Sequence, residues 1–269
     1  QASFPHHTHN KKTFTMKRNA LFVTVAAMLL SSCVFRINTT STGPKPAASA
    51  EAAVSMADSA AAKGFTRIEA NGCFDVYYTQ GDSPAIRLEG DTASTRRTIV
   101  TGDGKTLAIS TARDNDFFSH NDYVMKVHVT SPTLAEVSIK GSGNFITERD
   151  ISSEKLSMHI AGSGDIKMKG VKADDFSIDI AGSGDAYASG IDAKKAYFSI
   201  AGSGGVTMDG IKAGKFTGSI AGSGDIKATR ADIGKASCSI AGSGDIDIQG
   251  SVKETEESVA GSGSVKVTP

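Results

Sequence analysis

The tripeptide Gly-Ser-Gly recurs seven times, starting at Gly141, Gly162, Gly182, Gly202, Gly222, Gly242 and Gly261, at intervals of 21, 20, 20, 20, 20 and 19 residues. A fixed period of this length marks a solenoid, in which each unit buries its apolar face only by stacking on its neighbours. Ahead of each tripeptide the residues alternate. The position two before the first Gly reads Ile139, Ile160, Ile180, Ile200, Ile220, Ile240 and Val259; four before, it reads Val137, Met158, Ile178, Phe198, Gly218, Cys238 and Glu257. After the tripeptide a second alternation follows: Ile166 with Met168, Ala186 with Ala188, Val206 with Met208, Ile226 with Ala228, Ile246 with Ile248, Val265 with Val267. A third short apolar segment lies around Val171, Ile191, Ile211 and Ile233. Period two is a strand signal with one face packed and the other wet. Three short strands per unit predict an all-β fold, a right-handed parallel β-helix with coils of about twenty residues, the hand being that of parallel crossovers.

Tight corners between strands call for positive φ, which Gly reaches without a Cβ penalty, and the Ser between the glycines can bond its own turn. A phosphate cradle is excluded because the motif opens every coil and no helix follows it. In the last coil Glu257 replaces an apolar column residue beside Glu254 and Glu256. A charged end of this kind blunts an exposed strand edge.

Residues 64–135 are β-rich but less regular. Strands are expected near Phe65–Ile68, Phe74–Thr79, Ala85–Glu89, Thr106–Ser110 and Val124–Thr130, with a polar loop over Arg113–Asp122. They are expected to form the first, irregular coils and cap the core of a domain spanning 64–269, with 136–269 as the regular repeats. A separate sandwich packed on the helix is the alternative. The order Phe65-Thr-Arg-Ile-Glu-Ala-Asn-Gly72, Phe74-Asp-Val-Tyr-Tyr-Thr-Gln-Gly-Asp82, Thr106-Leu-Ala-Ile109, then Val127-His-Val-Thr-Ser-Pro-Thr-Leu-Ala-Glu-Val-Ser-Ile-Lys-Gly-Ser-Gly143 resembles the putative auto-transporter adhesin, head GIN domain family. The resemblance runs from about Gly64 to Pro269. It implies a secreted β-helical domain, often on a lipoprotein, with an adhesin label and no catalytic residues to carry over.

The first Met is Met16. Residues 1–15, with His6, His7 and His9, carry no fold pattern and read as an upstream or non-native segment. Lys17 and Arg18 precede an apolar run, Ala20 to Leu30, too short to span a bilayer. It ends in Leu30-Ser31-Ser32-Cys33, which resembles a bacterial lipobox. Residues 16–32 are therefore expected to be a lipoprotein signal peptide and Cys33 the lipidated residue. Residues 33–63, rich in Ser, Thr, Ala and Pro, could not bury enough surface to offset their ordering entropy and read as a tether. Loss of residues 1–32 removes four of the 29 basic groups and no acidic ones, leaving 25 against 29, a net charge of −4. That balance gives no footprint for nucleic acid. Cys73 and Cys238 are too distant in sequence, and Cys238 too apolar in its setting, to suggest a disulfide scaffold.

Outward columns supply the candidate contacts. Tyr197, Thr217 and Ser237 form one, and Ser199, Ser219, Ser239 and Ser258 the next, together a hydroxyl-rich face that could dock a glycan or a protein. After each tripeptide stand Asn144, Asp165, Asp185, Gly205, Asp225, Asp245 and Ser264. Stacked carboxylates could hold calcium at Asp165 with Asp185, or Asp225 with Asp245; Asp as a local turn residue is the stronger reading. No other metal or cofactor is expected. Lys155, Asp175, Lys195, Lys215 and Lys235 form a third column, read as a solvated corner. Asp174 with Asp175 and Glu256 with Glu257 are the adjacent carboxylates of the repeats; on a strand such neighbours point to opposite faces. A non-catalytic adhesion or scaffolding module is therefore expected, on a lipid anchor in the cell envelope. Val34 and Phe35 after Cys33 lack an Asp-type retention signal, which favours the outer membrane. A polysaccharide-active enzyme and a periplasmic envelope-sensing scaffold are the alternatives.

Overall fold

Strands account for about three quarters of the computed structural model, which describes residues 51–52, 64–112 and 125–269. In chain order they are β1 (Glu51–Ala52), β2 (Arg67–Gly72), β3 (Asp75–Gln80), β4 (Ala85–Gly90), a short helix α1 (Thr92–Arg97), β5 (Thr98–Gly102), β6 (Thr106–Thr111) and β7 (Met125–Ser131). The repeats follow as β8 (Glu136–Gly141), β9 (Phe145–Thr147), β10 (Ile151–Gly162), β11 (Ile166–Met168), β12 (Val171–Gly182), β13 (Ala186–Gly202), β14 (Gly205–Gly222), β15 (Asp225–Gly242), β16 (Ile246–Gly261) and β17 (Val265–Thr268). The signal segment, Cys33 and the polar loop lie outside the described residues. Of the tether, Glu51 and Ala52 are described, paired antiparallel with β4.

From β8 to β17 each coil pairs in parallel with the next, Gly on Gly at every corner. Each coil has three faces: one runs into Gly-Ser-Gly (as 196–202), a second follows it (186–188), and a third precedes the next bend (191–193). The expected Ile column is buried from Ile139 to Ile240. Beside it volumes are traded between columns. Phe176 sits with Ile178, Ala196 with Phe198, Phe216 with Gly218, so the rings step across the core with centroids 5.9 and 5.4 Å apart. A Cβ on Gly218 would stand 3.2 Å from Phe216 Cε1 and 3.3 Å from Ile246 Cδ1, which explains a glycine inside a buried strand position. On the third face Ile211 pairs with Ala231 and Ala213 with Ile233. Ile233 therefore belongs to the Ala column, not with Val171, Ile191 and Ile211 as its size suggests; Ala and Ile have exchanged places.

The two odd intervals have local causes. The 21-residue coil carries an extra residue in Glu148–Asp150, where the Asp150 carboxylate accepts from Gly170 N at 3.2 Å. The 19-residue coil is one short opposite Thr229 and Arg230, where the register shifts. Arg230 adopts φ 50, taking the corner that glycines hold at Gly190 and Gly210.

Residues 64–131 join the same sheet; they do not form a separate sandwich. Their spatial order departs from chain order. β2 lies between β6 and β8, and β3 between β7 and β9, all parallel. The first coil in sequence is thus the second in space. β4 and β5 then run antiparallel to β7 and β6 and close that end. Three of the five expected strands begin one or two residues later than expected, at Arg67, Asp75 and Met125, two begin at Ala85 and Thr106 as expected, and α1 and β5 carry no comparable sequence signal. Asp91 starts α1 by accepting from Ser94 N at 2.8 Å. The β2–β3 corner, Gly72-Cys73-Phe74, is an eighth version of the repeat corner, with Gly72 in register with Gly141.

Candidate functional site

The corners show what each glycine does. The first, such as Gly202 at φ 141, occupies backbone that side chains rarely adopt. The second, such as Gly204, has no positive φ; a Cβ there would overlap the carbonyl oxygen of Gly184 one coil back. Close stacking, not conformation, demands the second glycine. Each corner amide then bonds across coils, as Ser203 N to Gly182 O at 3.0 Å.

The column after the corner is a ladder of amide acceptors. Asp165 accepts from Asp185 N at 3.0 Å, Asp185 from Gly205 N at 2.7 Å, Asp225 from Asp245 N at 2.9 Å and Asp245 from Ser264 N at 2.8 Å. Asn144 does the same for Asp165 N at 3.0 Å, and Asp75 begins the series by accepting from Asn144 at 2.8 Å. Carboxylates recur here because each satisfies a backbone amide of the next coil. Among the described residues no group of three His, Cys, Asp or Glu side chains is placed to hold a metal.

On the first face the registers bring the expected contact residues together: Tyr197, Thr217 and Ser237 stack in one ladder, and Ser199, Ser219, Ser239 and Ser258 in the next. Thr217 Oγ1 is buried without a hydrogen-bond partner. The ladder ends on Glu256, which takes Lys235 at 2.6 Å and Ser237 Oγ at 3.3 Å. A shallow depression beside Tyr197 is lined by Lys155, Ser157, Asp175, Ser177 and Lys195. At the N-terminal side of this face His159 Nδ1 lies 3.3 Å from Asp179, and that bond holds its pKa above the ordinary value against partial burial. Asp174 and Asp175 do not point to opposite faces. They sit at a bend where alternation lapses, and both reach outward, to Lys194 at 2.8 Å and Lys195 at 3.4 Å.

The second face carries a feature that the sequence pattern did not single out. Tyr187, between the inward Ala186 and Ala188, is 43% exposed and, with Val259, is one of two exposed large hydrophobics among the described residues. Around it a shallow trough is lined by Asp165, Lys167, Asp185, Thr207, Asp225 and Lys227. Gly205 interrupts the Asp ladder there and leaves the floor open. Strict alternation in Ala-Tyr-Ala was the available signal.

Compared with known proteins, the chain matches the family described as putative auto-transporter adhesin, head GIN domain, over residues 64–232 and 197–268. It is similar to a solved putative lipid binding protein from Parabacteroides distasonis, at 27% identity and TM-score 0.66, over 77% of this chain and 94% of that one. It is likewise similar to a putative adhesin from Bacteroides fragilis, at 26% identity and TM-score 0.67, over the same shares of 77% and 94%. A second Parabacteroides distasonis protein, a putative adhesin at 19% identity and TM-score 0.66 over 82% and 96%, shares the fold. No curated protein matches the chain.

Proposed function

Because the chain belongs to the putative auto-transporter adhesin, head GIN domain family, we propose that it is a non-catalytic cell-envelope lipoprotein whose β-helix serves adhesion or scaffolding. The observation that carries this reading is the combination of a filled interior with flat, ladder-regular outer faces. Inward side chains of the regular coils are buried from Val137 to Ile248. Corners recur every 19 to 21 residues, which leaves the repeats no long loops to wall a catalytic cleft. The adjacent carboxylates Asp174 and Asp175 are each tied to a lysine. Rigid faces that present repeated small polar groups suit contact with an extended surface, and the Tyr197 to Ser258 hydroxyl face is one such surface. Lipidation at Cys33 would hold the domain at the outer membrane through the 33–63 tether. Among the described residues no helix is long and apolar enough to cross a membrane.

Lipid binding, the property attributed to one structural relative, finds less support. The coils are filled by side chains buried from Val137 to Ile248, and among the described residues the two exposed large hydrophobics, Tyr187 and Val259, make no patch for an acyl chain. The decisive experiment is protease and antibody accessibility of a C-terminally tagged chain in intact cells, with a periplasmic control protein. Labelling from outside, with adherence lost on deletion, is the expected result. Protection until the outer membrane is breached would overturn adhesion and leave a periplasmic scaffold or envelope sensor. Turnover of a polysaccharide abolished by Asp→Ala changes would overturn the non-catalytic reading.

A further inference from the structure

We propose that the trough around Tyr187 is a saccharide-binding site, in which an oligosaccharide lies along the helix axis with one pyranose ring stacked on the tyrosine. The inference rests on the adhesion reading and gives it a ligand class and a place.

The site is built from two outward ladders on the second face. One runs Lys167, Tyr187, Thr207, Lys227 in consecutive register. The other, two residues earlier in each coil, runs Asp165, Asp185, Gly205, Asp225. A tyrosine ring left standing on a sheet surface offers an apolar face and a polar tip together, the pairing that the C–H face and hydroxyl rim of a sugar require. Gly205 supplies the depth. Every other Asp-ladder rung between Asp165 and Asp245 fills this level with a carboxylate, and here it is empty beside the ring. Asp185 and Asp225 flank the gap; in each, Oδ1 accepts a backbone amide, and the second oxygen remains an acceptor for a hydroxyl. Lys167 and Lys227 add donors at the two ends, and Thr207 both donates and accepts.

The charges select among ligands. Three carboxylates against two ammonium groups give no field for a phosphate or polyanion, whereas closely mixed donors and acceptors around one ring fit a neutral polyhydroxylated chain. Spacing agrees as well. Coils repeat at about 4.8 Å, close to the advance of an extended pyranose chain per sugar, so successive sugars would meet successive rungs. The Lys167 ladder also continues through Ile146 to Tyr77, in register, toward the N-terminal cap. Tyr77 in turn stacks on His128 with centroids 5.2 Å apart. A second tyrosine therefore stands on the same column beyond the trough, with Lys167 and Ile146 between it and Tyr187.

The test is isothermal titration of the full-length protein with cellohexaose, chitohexaose, mannohexaose and hexagalacturonate. At least one neutral hexasaccharide is expected to bind. Tyr187→Ala should weaken it at least about tenfold, Tyr187→Phe should retain it, and Gly205→Gln, which fills the trough, should abolish it. Lys212→Ala, on the third face, should leave affinity unchanged, and thermal melts establish that each variant is folded. Absence of binding to all three neutral sugars, salt-sensitive binding to hexagalacturonate alone, or full affinity in folded Tyr187→Ala would each overturn the site. Adhesion is scored separately in cells. Surface-exposed Tyr187→Ala protein that still confers adherence sinks the saccharide site and spares the adhesion reading; protease protection of the wild-type chain sinks adhesion whatever the titrations give.

Discussion

Replacing Gly204 with Ala separates the cost of close stacking from the cost of backbone strain. Gly202, two residues earlier, has φ 141 and would suffer both. Gly204 has an ordinary φ, so its new methyl pays only for space. That methyl would overlap Gly184 O and lie 3.1 Å from Ile180 Cγ2. The overlapped group is backbone, held in a corner where Gly182 O already accepts from Ser203 N at 3.0 Å and Gly204 N at 3.3 Å. Restoring ordinary contact needs a retreat of about 1 Å, which takes both bonds beyond useful length. Two hydrogen bonds at about 1 kcal/mol each, with overpacking of about 1–3 kcal/mol, give an expected loss of about 3–5 kcal/mol. Because a solenoid's stability is a sum of neighbouring interfaces, the loss should show as an earlier melting of the flanking coils. Urea denaturation followed by far-UV circular dichroism measures it. Gly205→Ala is the matched control: its methyl would stand 3.2 Å from Asp185 Oδ1, a side-chain atom that can move, and a change within about 0.5 kcal/mol is expected. Equal midpoints for the two variants would refute the stacking argument.

Three further outcomes are expected. Arg230→Gly should stabilise the protein by about 0.5 kcal/mol, since relief of about 1–2 kcal/mol of left-handed strain exceeds the added chain entropy and the exposed pair with Asp209; Gly190→Ala, at φ 63 with nothing nearer than 3.7 Å, should lose about 1 kcal/mol, and chemical denaturation reads both. The bond to Asp179 raises the His159 pKa above 6.5, with Glu136 adding to it and burial and Lys155 opposing. Its contribution is therefore complete below the unfolded value and lost as pH rises through the folded one, so the stability gap between wild type and His159→Gln should be wider near pH 5.5 than near pH 8. Burial, with Glu257 adding to it, pushes the Cys238 thiol up to about 11, whereas Cys73 is exposed; a thiol reagent should label Cys73 in the folded protein and reach Cys238 after denaturation.

The regular coils were legible because register and sequence period coincide there. The Ile column, the strand alternation and the grouping of Tyr197 with Thr217 and Ser237 all follow from a constant step. Legibility failed where the step or the chemistry changed. Gly72-Cys73-Phe74 hid a corner because Phe74 stands where the repeats place their second glycine. Ile233 groups by size with Val171, Ile191 and Ile211, and only register reveals that it traded places with Ala231. The Asp column reads from sequence as a row of local turn residues, because the bonds its carboxylates make reach backbone amides of the next coil, which carry no sequence signal. Tyr197 drew attention as a ring among hydroxyls, yet Tyr187 is the more exposed ring, because the gap at Gly205 lies in the neighbouring column of a different face. α1 escaped because it is six residues long and apolar periodicity cannot build up over so short a span.

The two ends of the solenoid explain why the chain departs from simple winding. A stack of parallel coils exposes unpaired strand edges and an uncovered core at both termini. At the C-terminal end the answer is charge: Glu254, Glu256 and Glu257 are exposed on the last coil, and Glu257 takes the column position above Cys238 that apolar residues hold elsewhere. At the N-terminal end the answer is topology. The chain lays down β2 and β3 first, builds the outer coil β6 and β7 beyond them, then returns across their flank to β8. Gln80 ties that return by donating to Pro132 O at 2.8 Å and Ser152 O at 2.9 Å. β4 and β5 then cover the outer coil in antiparallel pairing, with Ile86 and Leu88 over the core and Glu89 outside among His128 at 3.0 Å, Arg87 at 3.2 Å and Lys126 at 3.6 Å. β5 runs against the stack beyond β6, and β4 is itself covered by β1, so this end is closed by antiparallel pairing where the other is guarded by charge. The residues between the two ends are thereby left as uninterrupted faces, the geometry on which the proposed contact role rests.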